Sequence, residues 1–475
     1  MKTHAMIELS WELHPDRGPI TAQLSDQIRT YIQTGQLAEG DRIPPTRTLA
    51  KELGIARGTV TTAIELLIAE GLLETRTGSG TFVSADAIGT PSTETKRARS
   101  GKISLKTPLR PDVDQPMTCA VDLRPCRPSL EAFPLNVWRR YMSQAASAKP
   151  SSDYGDARGD HDLRQSIADY LRRARGLTVE PTCVIITNGA IHAMHLLASL
   201  VLNKGDTVVF ENPGYPLARQ VFTACGGDIY SCPVDQDGLI IENLPPSSKA
   251  TKIVYLTPSH QFPIGSRLSL GRRRRLIDWA HDRGCLIIED DYDGEFRYDV
   301  PPLAPMATMD PDQVVYCGTF SKTMFPGLRI GFAVASENII EAMAVKRAVS
   351  EYTANAPLQR ALSYFISSGE YERHILRMRR IYAKKRQLVS EHLEGAAQLT
   401  GLQSGLSALI ELDPKHSAQA ISERLSHEGI IIPPLDRYDV RKQTAVNALV
   451  CGYAEPSLKQ LYFAMQRLVH AVSSK

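Results

Sequence analysis

Five short runs of apolar residues, separated by stretches with helical periodicity, constrain the fold of this chain more than any other feature. The runs span residues 184–187, 207–210, 252–256, 285–288 and 314–317. Each run is continuously apolar, and strands of this kind suit a parallel sheet that helices cover on both faces. We therefore predict a mainly parallel α/β domain over residues 117–475, with a smaller helix-rich part near its C-terminus.

The N-terminal residues 10–85 follow a different pattern. Apolar residues recur at a helical period from Ile20 to Ile32, and two further helices are predicted at 47–53, capped by Thr46, and at 57–70. Two short strands then flank a glycine-rich tip at 76–80. Helix, turn, helix and hairpin in this order predict a winged helix-turn-helix domain. Residues 86–116 are polar and cationic, which predicts a flexible linker.

The winged helix-turn-helix reading predicts double-stranded operator DNA as a partner. The net charge is only +3, so DNA affinity has to come from a local basic face. Short side chains on the second helix of the pair suit the major groove, arginines suit phosphates, and wing glycines let the backbone approach DNA. The residues predicted for these contacts are Arg57, Thr59, Thr61, Thr62, Arg47, Arg76, Gly78 and Gly80.

Lys322, in the segment Gly-Thr-Phe-Ser-Lys, is the residue around which a cofactor site is predicted. A lysine amine can form a Schiff base with the aldehyde of pyridoxal 5'-phosphate, and a carboxylate can keep the pyridine nitrogen protonated. Asp290 and Tyr292 follow the apolar run 285–288 and point the same way if the strand continues. We assign Asp290 to the ring nitrogen and Tyr292 to the ring hydroxyl, with Glu289 as the alternative carboxylate.

A phosphate needs hydrogen-bond donors and the N-terminus of a helix. Residues 188–191 lie between a strand and an apolar helix, so the backbone at Gly189 and Ala190 can meet an anion. Thr319, Ser321 and Arg329 add two hydroxyls and one guanidinium near Lys322. Tyr215, which follows another strand, either stacks on the pyridine ring or packs on the core.

These residues carry two resemblances. The segments 40–47, 57–60 and 78–83 resemble the GntR family of regulators, and residues 117–475 are similar to fold-type-I aminotransferases, with Tyr154 and the segment 259–263 among the matching parts. Together they resemble the MocR/GabR branch of the GntR family. The resemblance implies pyridoxal phosphate bound to Lys322 and a head-to-tail homodimer in which Tyr154 reaches the partner's cofactor phosphate.

The chain also departs from the aminotransferase pattern. Phe262 stands where aminotransferases carry the asparagine that meets the ring hydroxyl, and Ala190 stands where a serine is frequent. The stretch 449–454 lacks the arginine that pairs with a substrate carboxylate, and Leu217 replaces an arginine of GABA-responsive relatives. These departures weaken the case for amino-acid turnover, so we expect sensing and not an enzyme.

The leading hypothesis is a transcription regulator whose aminotransferase-like domain changes operator binding. Either the bound cofactor detects an amino compound by reacting with it, or pyridoxal phosphate is itself the signal. The missing arginine favours the second alternative. A genuine aminotransferase with an accessory DNA-binding domain is the alternative function, and a plain repressor without the cofactor is a third reading.

Several other features argue against further sites. The eight cysteines show no ligand spacing, so we expect free thiols and no metal, and no apolar run is long enough to span a bilayer. We therefore expect a cytoplasmic protein. The basic runs 272–275 and 377–386 are predicted to be solvated helix faces.

Overall fold

The computed structural model describes residues 9–85, 119–149, 151–298, 303–353, 355–440 and 446–473. The chain divides into two compact units, residues 1–107 and 108–475. The predicted linker at 86–116 lies outside the described residues.

The N-terminal unit contains the predicted helices and hairpin. Its elements are α1 (Ile20–Gln33), β1 (Arg42–Ile43), α2 (Thr46–Leu53), α3 (Arg57–Ala69), β2 (Leu73–Arg76) and β3 (Gly80–Val83). The strands form an antiparallel sheet in the order β1-β3-β2. Leu24 and Ile28 of α1 are buried with Val60 and Leu67 of α3, which makes the apolar periodicity of both helices the core of this unit.

The prediction that Thr46 caps α2 is wrong. The residue before the helix is Pro45, and Thr46 is the first helical residue, without a side-chain cap hydrogen bond at this end. Gly54 ends α2 in the left-handed conformation, as a glycine at this position allows.

The strands of the second unit follow the predicted runs closely. In chain order they are β4 (Val121–Asp122), β5 (Val184–Thr187), β6 (Thr207–Asn212), β7 (Asp228–Asp235), β8 (Gly238–Leu239), β9 (Thr251–Leu256), β10 (Leu286–Asp291), β11 (Val314–Thr319), β12 (Gly331–Val334), β13 (Gln398–Thr400), β14 (Ser407–Glu411), β15 (Ile430–Ile431) and β16 (Ala448–Gly452). The helices are α4 (Leu135–Ala146), α5 (His161–Arg175), α6 (Ala190–Val201), α7 (Pro216–Ala224), α8 (Leu270–His281), α9 (Glu337–Ala348), α10 (Ala356–Ser367), α11 (Glu370–Leu393), α12 (Ala418–His427) and α13 (Leu458–Ser473).

The large sheet has the order β5-β12-β11-β10-β9-β6-β7-β8. The run from β11 to β7 is parallel, whereas β12 is antiparallel to both of its neighbours and β8 is antiparallel to β7. Successive strand residues enter two different cores, one with α4, α5, α8 and α10 and the other with α6, α7 and α9. The predicted α/β class, with helices on both faces of a mainly parallel sheet, is confirmed.

The smaller C-terminal part has its own core around an antiparallel sheet of β13, β14 and β16. The short strand β4 comes from the start of this unit and pairs in parallel with β15. This pairing brings the segment that follows β4 to the C-terminal part of the fold. None of the described helices is both long and apolar enough to cross a lipid bilayer.

The expectation of solvated basic faces fails at two positions. Arg273 of α8 is buried, and its guanidinium donates to the carbonyl oxygens of Leu268 (3.0 Å), Pro258 (3.0 Å) and Ala304 (2.9 Å). Lys385 of α11 is also buried, with its Nζ donating to the carbonyl oxygen of Ala454 at 2.7 Å. Buried charged groups need hydrogen-bond partners, and both cations find them in backbone carbonyl oxygens near their helices.

Candidate functional site

A cavity of about 450 Å³ lies where the parallel strands of the large sheet end. Open α/β sheets bind ligands at this edge. All of the residues predicted for the cofactor line it except Tyr154. The predicted residues that line the cavity are Lys322, Asp290, Tyr292, Tyr215, Gly189, Ala190, Thr319, Ser321 and Arg329.

Asp290 offers one unused oxygen to this cavity. Its Oδ2 accepts a hydrogen bond from the Tyr255 hydroxyl at 2.9 Å, and its buried Oδ1 has no partner among the described residues. Burial raises the pKa of Asp290 to about 7, while the hydrogen bond from Tyr255 and the charge of Lys322 act in the opposite direction. Such an oxygen can accept a hydrogen bond from a protonated ring nitrogen.

The other carboxylates of this strand point away from the cavity, as strand alternation requires. Asp291 Oδ2 pairs with Arg175 Nη2 at 2.9 Å and accepts from the Tyr316 hydroxyl at 2.7 Å. Glu289 accepts from the backbone N–H of Ala307 at 3.3 Å. The alternative assignment of Glu289 to the ring nitrogen therefore has no support in the geometry.

A cradle for an anion forms at the N-terminus of α6. Gly189 precedes this helix at a φ of +90° and provides no side-chain cap, and the first N–H groups of a helix have no intrahelical acceptor. Arg329 donates to the carbonyl oxygen of Asn188 at 2.9 Å, which places its guanidinium beside Gly189. Thr319 and Ser321 line the same cavity, so these groups fit a phosphate.

Two tyrosines frame the space between these groups. Tyr292 is buried, with its hydroxyl 3.0 Å from Nδ1 of His260 and its ring edge-on to Phe262 at 6.0 Å between centroids. Tyr215 is half-buried and also packs edge-on against Phe262, at 5.7 Å. Tyr215 thus both lines the cavity and contacts the core.

Part of the cavity lining was not predicted from the sequence. The structure adds Cys126, Arg127, Tyr255, Thr257, Arg437 and Tyr438. Residues 126 and 127 arrive through the pairing of β4 with β15, and the turn 435–438 is joined to β6 by a hydrogen bond from Asn212 to Asp439 at 2.8 Å. No local motif marks these segments, because distant pairing brings them to the site.

Tyr154 lies outside the lining of this cavity. Its side chain is 79% exposed, and its ring lies 5.4 Å from that of Tyr352.

In the N-terminal unit, the predicted DNA contacts lie on exposed parts of α2, α3 and the β2–β3 hairpin, with Thr59, Thr61 and Gly80 half-buried. The hydroxyls of Thr61 and Thr62 donate to the carbonyl oxygens of Arg57 and Gly58, both at 3.0 Å. The hydroxyl hydrogens of these two threonines are therefore already used within α3.

A second cation, Arg42 of β1, lies beside the wing and was not predicted from the sequence. Gly78 and Gly80 have φ values of +77° and +119°, and a Cβ atom at Gly80 would lie 2.9 Å from the guanidinium of Arg42. Arg76 pairs with Glu74 at 2.6 Å and lies over the ring of Phe82. Arg47 and Arg57 are exposed on the helices that precede the wing.

No cluster of potential metal ligands occurs in the described ranges of the chain. His192, near the anion cradle, instead contacts Glu351 through its Nδ1 at 3.3 Å. All eight cysteines are free thiols, as expected.

Two family models match the chain. The model described as bacterial regulatory proteins of the gntR family matches residues 20–83, and the model of aminotransferase class I and II matches residues 127–449.

The relatives of the whole chain are named as regulators. The probable rhizopine catabolism regulatory protein MocR of Rhizobium meliloti is 32% identical over 450 residues, covering 92% of this chain and 90% of that protein. The HTH-type pyridoxine biosynthesis transcriptional regulator PdxR of Corynebacterium glutamicum is 31% identical over 456 residues, covering 96% of each.

Among solved structures, the chain is similar to an archaeal alanine:glyoxylate aminotransferase. The TM-score is 0.69 at 25% identity, over 75% of this chain and 91% of that one. A kynurenine aminotransferase of Pyrococcus horikoshii, solved in complex with PMP, matches with the same score, identity and coverage.

Proposed function

The chain belongs to the MocR branch of the GntR family and is a DNA-binding transcription regulator, and we propose that it senses an amino compound through pyridoxal phosphate held in its aminotransferase-like unit. One observation carries this proposal: Lys322, the unpartnered oxygen of Asp290 and the anion cradle at α6 line one cavity. Binding of the amino compound would change operator affinity, and the operator would change effector affinity by the same factor.

The residues present fit the cofactor. The amine of Lys322 would hold the aldehyde, Asp290 the ring nitrogen and Tyr292 the ring hydroxyl, with Tyr215 against the ring face. The phosphate would bind Gly189, Ala190, Thr319, Ser321 and Arg329. The cofactor supplies an aldehyde that condenses reversibly with amines and a ring that withdraws electrons.

The cavity favours an effector that carries an anionic group. Leu217 lines the cavity where GABA-responsive relatives are expected to carry an arginine, but Arg437 lines the same cavity, as does Arg127, which also pairs with Asp122 at 3.1 Å. Guanidinium groups bind carboxylates and related anions through charged hydrogen bonds. Their presence supports an acidic amino compound over pyridoxal phosphate alone as the signal, contrary to the expectation from the missing C-terminal arginine.

We propose sensing, and not turnover, as the role of this unit, because relatives along almost the full chain are named as regulators. A complete aminotransferase cycle is the competing function. We also propose a head-to-tail dimer, since Tyr154 is too exposed to serve its own cavity and is free to reach a partner. Location in the cytoplasm stays a prediction that follows from the DNA partner.

A spectral titration tests the proposal. Purified protein is titrated with pyridoxal phosphate and then with acidic and non-acidic amines, while binding to DNA sites selected from a random pool is followed in parallel. The wild type should gain visible absorption, and Lys322→Ala should lose both this absorption and the response to amines. Lys204→Ala, at an exposed turn before β6, is the matched control and should behave as the wild type.

Two results would contradict the proposal. Unchanged visible absorption in Lys322→Ala would remove the lysine assignment. Steady transamination at an ordinary rate, about 1–1000 per second, without selection of any DNA site would establish the aminotransferase function instead.

A further inference from the structure

Behind Tyr292 lies a buried pair of side chains that the proposed function does not use. Nδ1 of His260 is 3.0 Å from Oδ2 and 3.2 Å from Oδ1 of Asp293. The same nitrogen is 3.0 Å from the hydroxyl of Tyr292. His260 is 3% exposed and Asp293 is 1% exposed, so water does not compete for these contacts.

The geometry fixes where the hydrogen atoms lie. A nitrogen that approaches both oxygens of a carboxylate has to carry a hydrogen, because two acceptors do not attract each other. Nδ1 of His260 is therefore the donor, and the hydroxyl oxygen of Tyr292 lies at the same N–H group as a second acceptor. The hydrogen of the Tyr292 hydroxyl is then available for a different acceptor.

The remaining contacts of His260 agree with this tautomer. Its Nε2 is buried without a hydrogen-bond partner among the described residues, which suits an unprotonated nitrogen better than a wasted donor. Gly405 holds the ring in place, because a Cβ atom there would lie 2.1 Å from Cε1 of His260 and 2.5 Å from Oδ2 of Asp293. Gly265 approaches from another side, with a Cβ position 3.0 Å from Nε2.

We propose that Asp293 and His260 are positioning residues that orient the Tyr292 hydroxyl so that it donates its hydrogen into the cavity. The acceptor is the ring oxygen of bound pyridoxal phosphate, so this inference rests on the proposed function. The side chain of Phe262 contributes no polar group to this part of the lining, and its ring packs edge-on against Tyr292 and Tyr215. Tyr292, locked by the His260–Asp293 pair, supplies the hydrogen bond that an asparagine at position 262 would give.

The pH dependence of the visible absorption of the bound cofactor reports this hydrogen bond. A hydrogen-bond donor to the ring oxygen draws negative charge from that oxygen. The oxygen would then hold the proton of the Lys322 nitrogen, which binds the cofactor's aldehyde, less tightly. Loss of the donor should raise the pH of the spectral transition by about one unit, as expected for one hydrogen bond to a charged oxygen. Other titratable groups line this space or act on Tyr292, and the variants below leave them unchanged: Lys322, Asp290, Cys126, Tyr255, Arg127, Arg329 and Arg437.

Two variants of similar volume test the inference in the full-length, cofactor-loaded protein. Tyr292→Phe removes the donor and should raise the pH at which the spectral transition occurs by about one unit. Asp293→Asn presents an N–H group to His260 and favours the opposite tautomer, in which Nδ1 accepts the hydrogen of Tyr292. It should raise the transition in the same direction although Tyr292 is intact. If this variant does not fold, His260→Gln, whose amide reaches the position of Nε2 and not Nδ1, decides by the same criterion.

Tyr298→Phe is the control, because the Tyr298 hydroxyl donates to the carbonyl oxygen of Gly405 at 3.1 Å and does not line the cavity. It should leave the transition within about 0.2 pH units of the wild type, well below the effect of a lost hydrogen bond. A shift in Tyr292→Phe together with none in Asp293→Asn would overturn the inference and leave the cofactor site intact. Absence of any visible absorption in the wild type would instead refute the proposed function.

Discussion

The cavity has two walls that differ in origin. The sheet wall comes from the strand ends of the large sheet and consists of Gly189, Asp290, Thr319, Ser321, Lys322 and Arg329. The outer wall comes from segments outside that sheet and consists of Cys126, Arg127, Arg437 and Tyr438. The sheet wall has the chemistry that pyridoxal phosphate needs, whereas the outer wall carries two arginines that were not predicted from the sequence. We infer that the first wall holds the cofactor and that the second selects what reaches it.

The largest effect that would sharpen this comparison is expected at Asp290. Asp290→Asn removes the charge that faces the ring nitrogen, and we expect affinity for pyridoxal phosphate to fall by about 100-fold or more, since one partner of a buried charged contact is lost. Equilibrium dialysis or the visible titration measures this change. Glu289→Gln is the control, because Glu289 faces away from the cavity, and it should change cofactor affinity by less than about threefold. Equal losses in both variants would remove the distinction between the two faces of β10.

Asp290→Asn, which should weaken cofactor binding, should stabilise the cofactor-free protein. The pKa of Asp290 is raised by burial to about 7, so the folded state holds a proton that the unfolded state releases near its lower, ordinary pKa. The contribution of Asp290 to stability therefore falls as the pH rises from about 4 to about 7 and levels off above that value. At pH 8, Asp290→Asn should increase the stability of the cofactor-free protein by on the order of 1–3 kcal/mol, measured by urea unfolding. Unchanged stability at pH 8 would contradict the burial of a charged Asp290.

The outer wall is tested by an arginine exchange of smaller effect. Arg437→Gln should raise the concentration of an acidic amine needed for half-maximal change in DNA binding by about tenfold, because a charged hydrogen bond is lost. It should leave affinity for pyridoxal phosphate within about twofold. Arg329→Gln, on the sheet wall, should show the reverse, with weaker cofactor binding as its main effect. If both variants weaken cofactor binding alike, the outer wall belongs to the cofactor and not to the effector.

The two walls also mark how far the sequence predicts this molecule. Strand alternation is a local property, so Asp290 and Tyr292 could be assigned to one face from their spacing alone. Arg437 lies in a turn that a hydrogen bond from Asn212 to Asp439 joins to β6, and Arg127 follows β4, which pairs with β15. No local pattern encodes such contacts between distant segments.

The burial or exposure of side chains within helices was predictable only in part. The basic run at the start of α8 has the composition of a solvated face, yet Arg273 is buried among three carbonyl oxygens of neighbouring loops. Arg272, the residue before it, pairs with Asp235 at 2.8 Å and keeps contact with solvent. Composition alone does not distinguish these two neighbours, because the difference lies in which loops pack against the helix.

Two variants of the DNA-binding unit separate base contacts from phosphate contacts, and the smallest effect is expected for Arg76 in its wing. Arg57 is exposed at the start of α3, the helix predicted to enter the major groove. Arg57→Ala should therefore weaken binding to a selected DNA site by about tenfold and relax the preference at one base pair. Arg76 is the matched comparison, because it lies in the wing and is already paired with Glu74. Arg76→Ala should cost about two- to threefold on every sequence and reduce the dependence on salt, as loss of a phosphate contact does. Fluorescence anisotropy at several salt concentrations distinguishes these outcomes, and a larger, sequence-dependent loss in Arg76→Ala would place recognition in the wing instead of in α3.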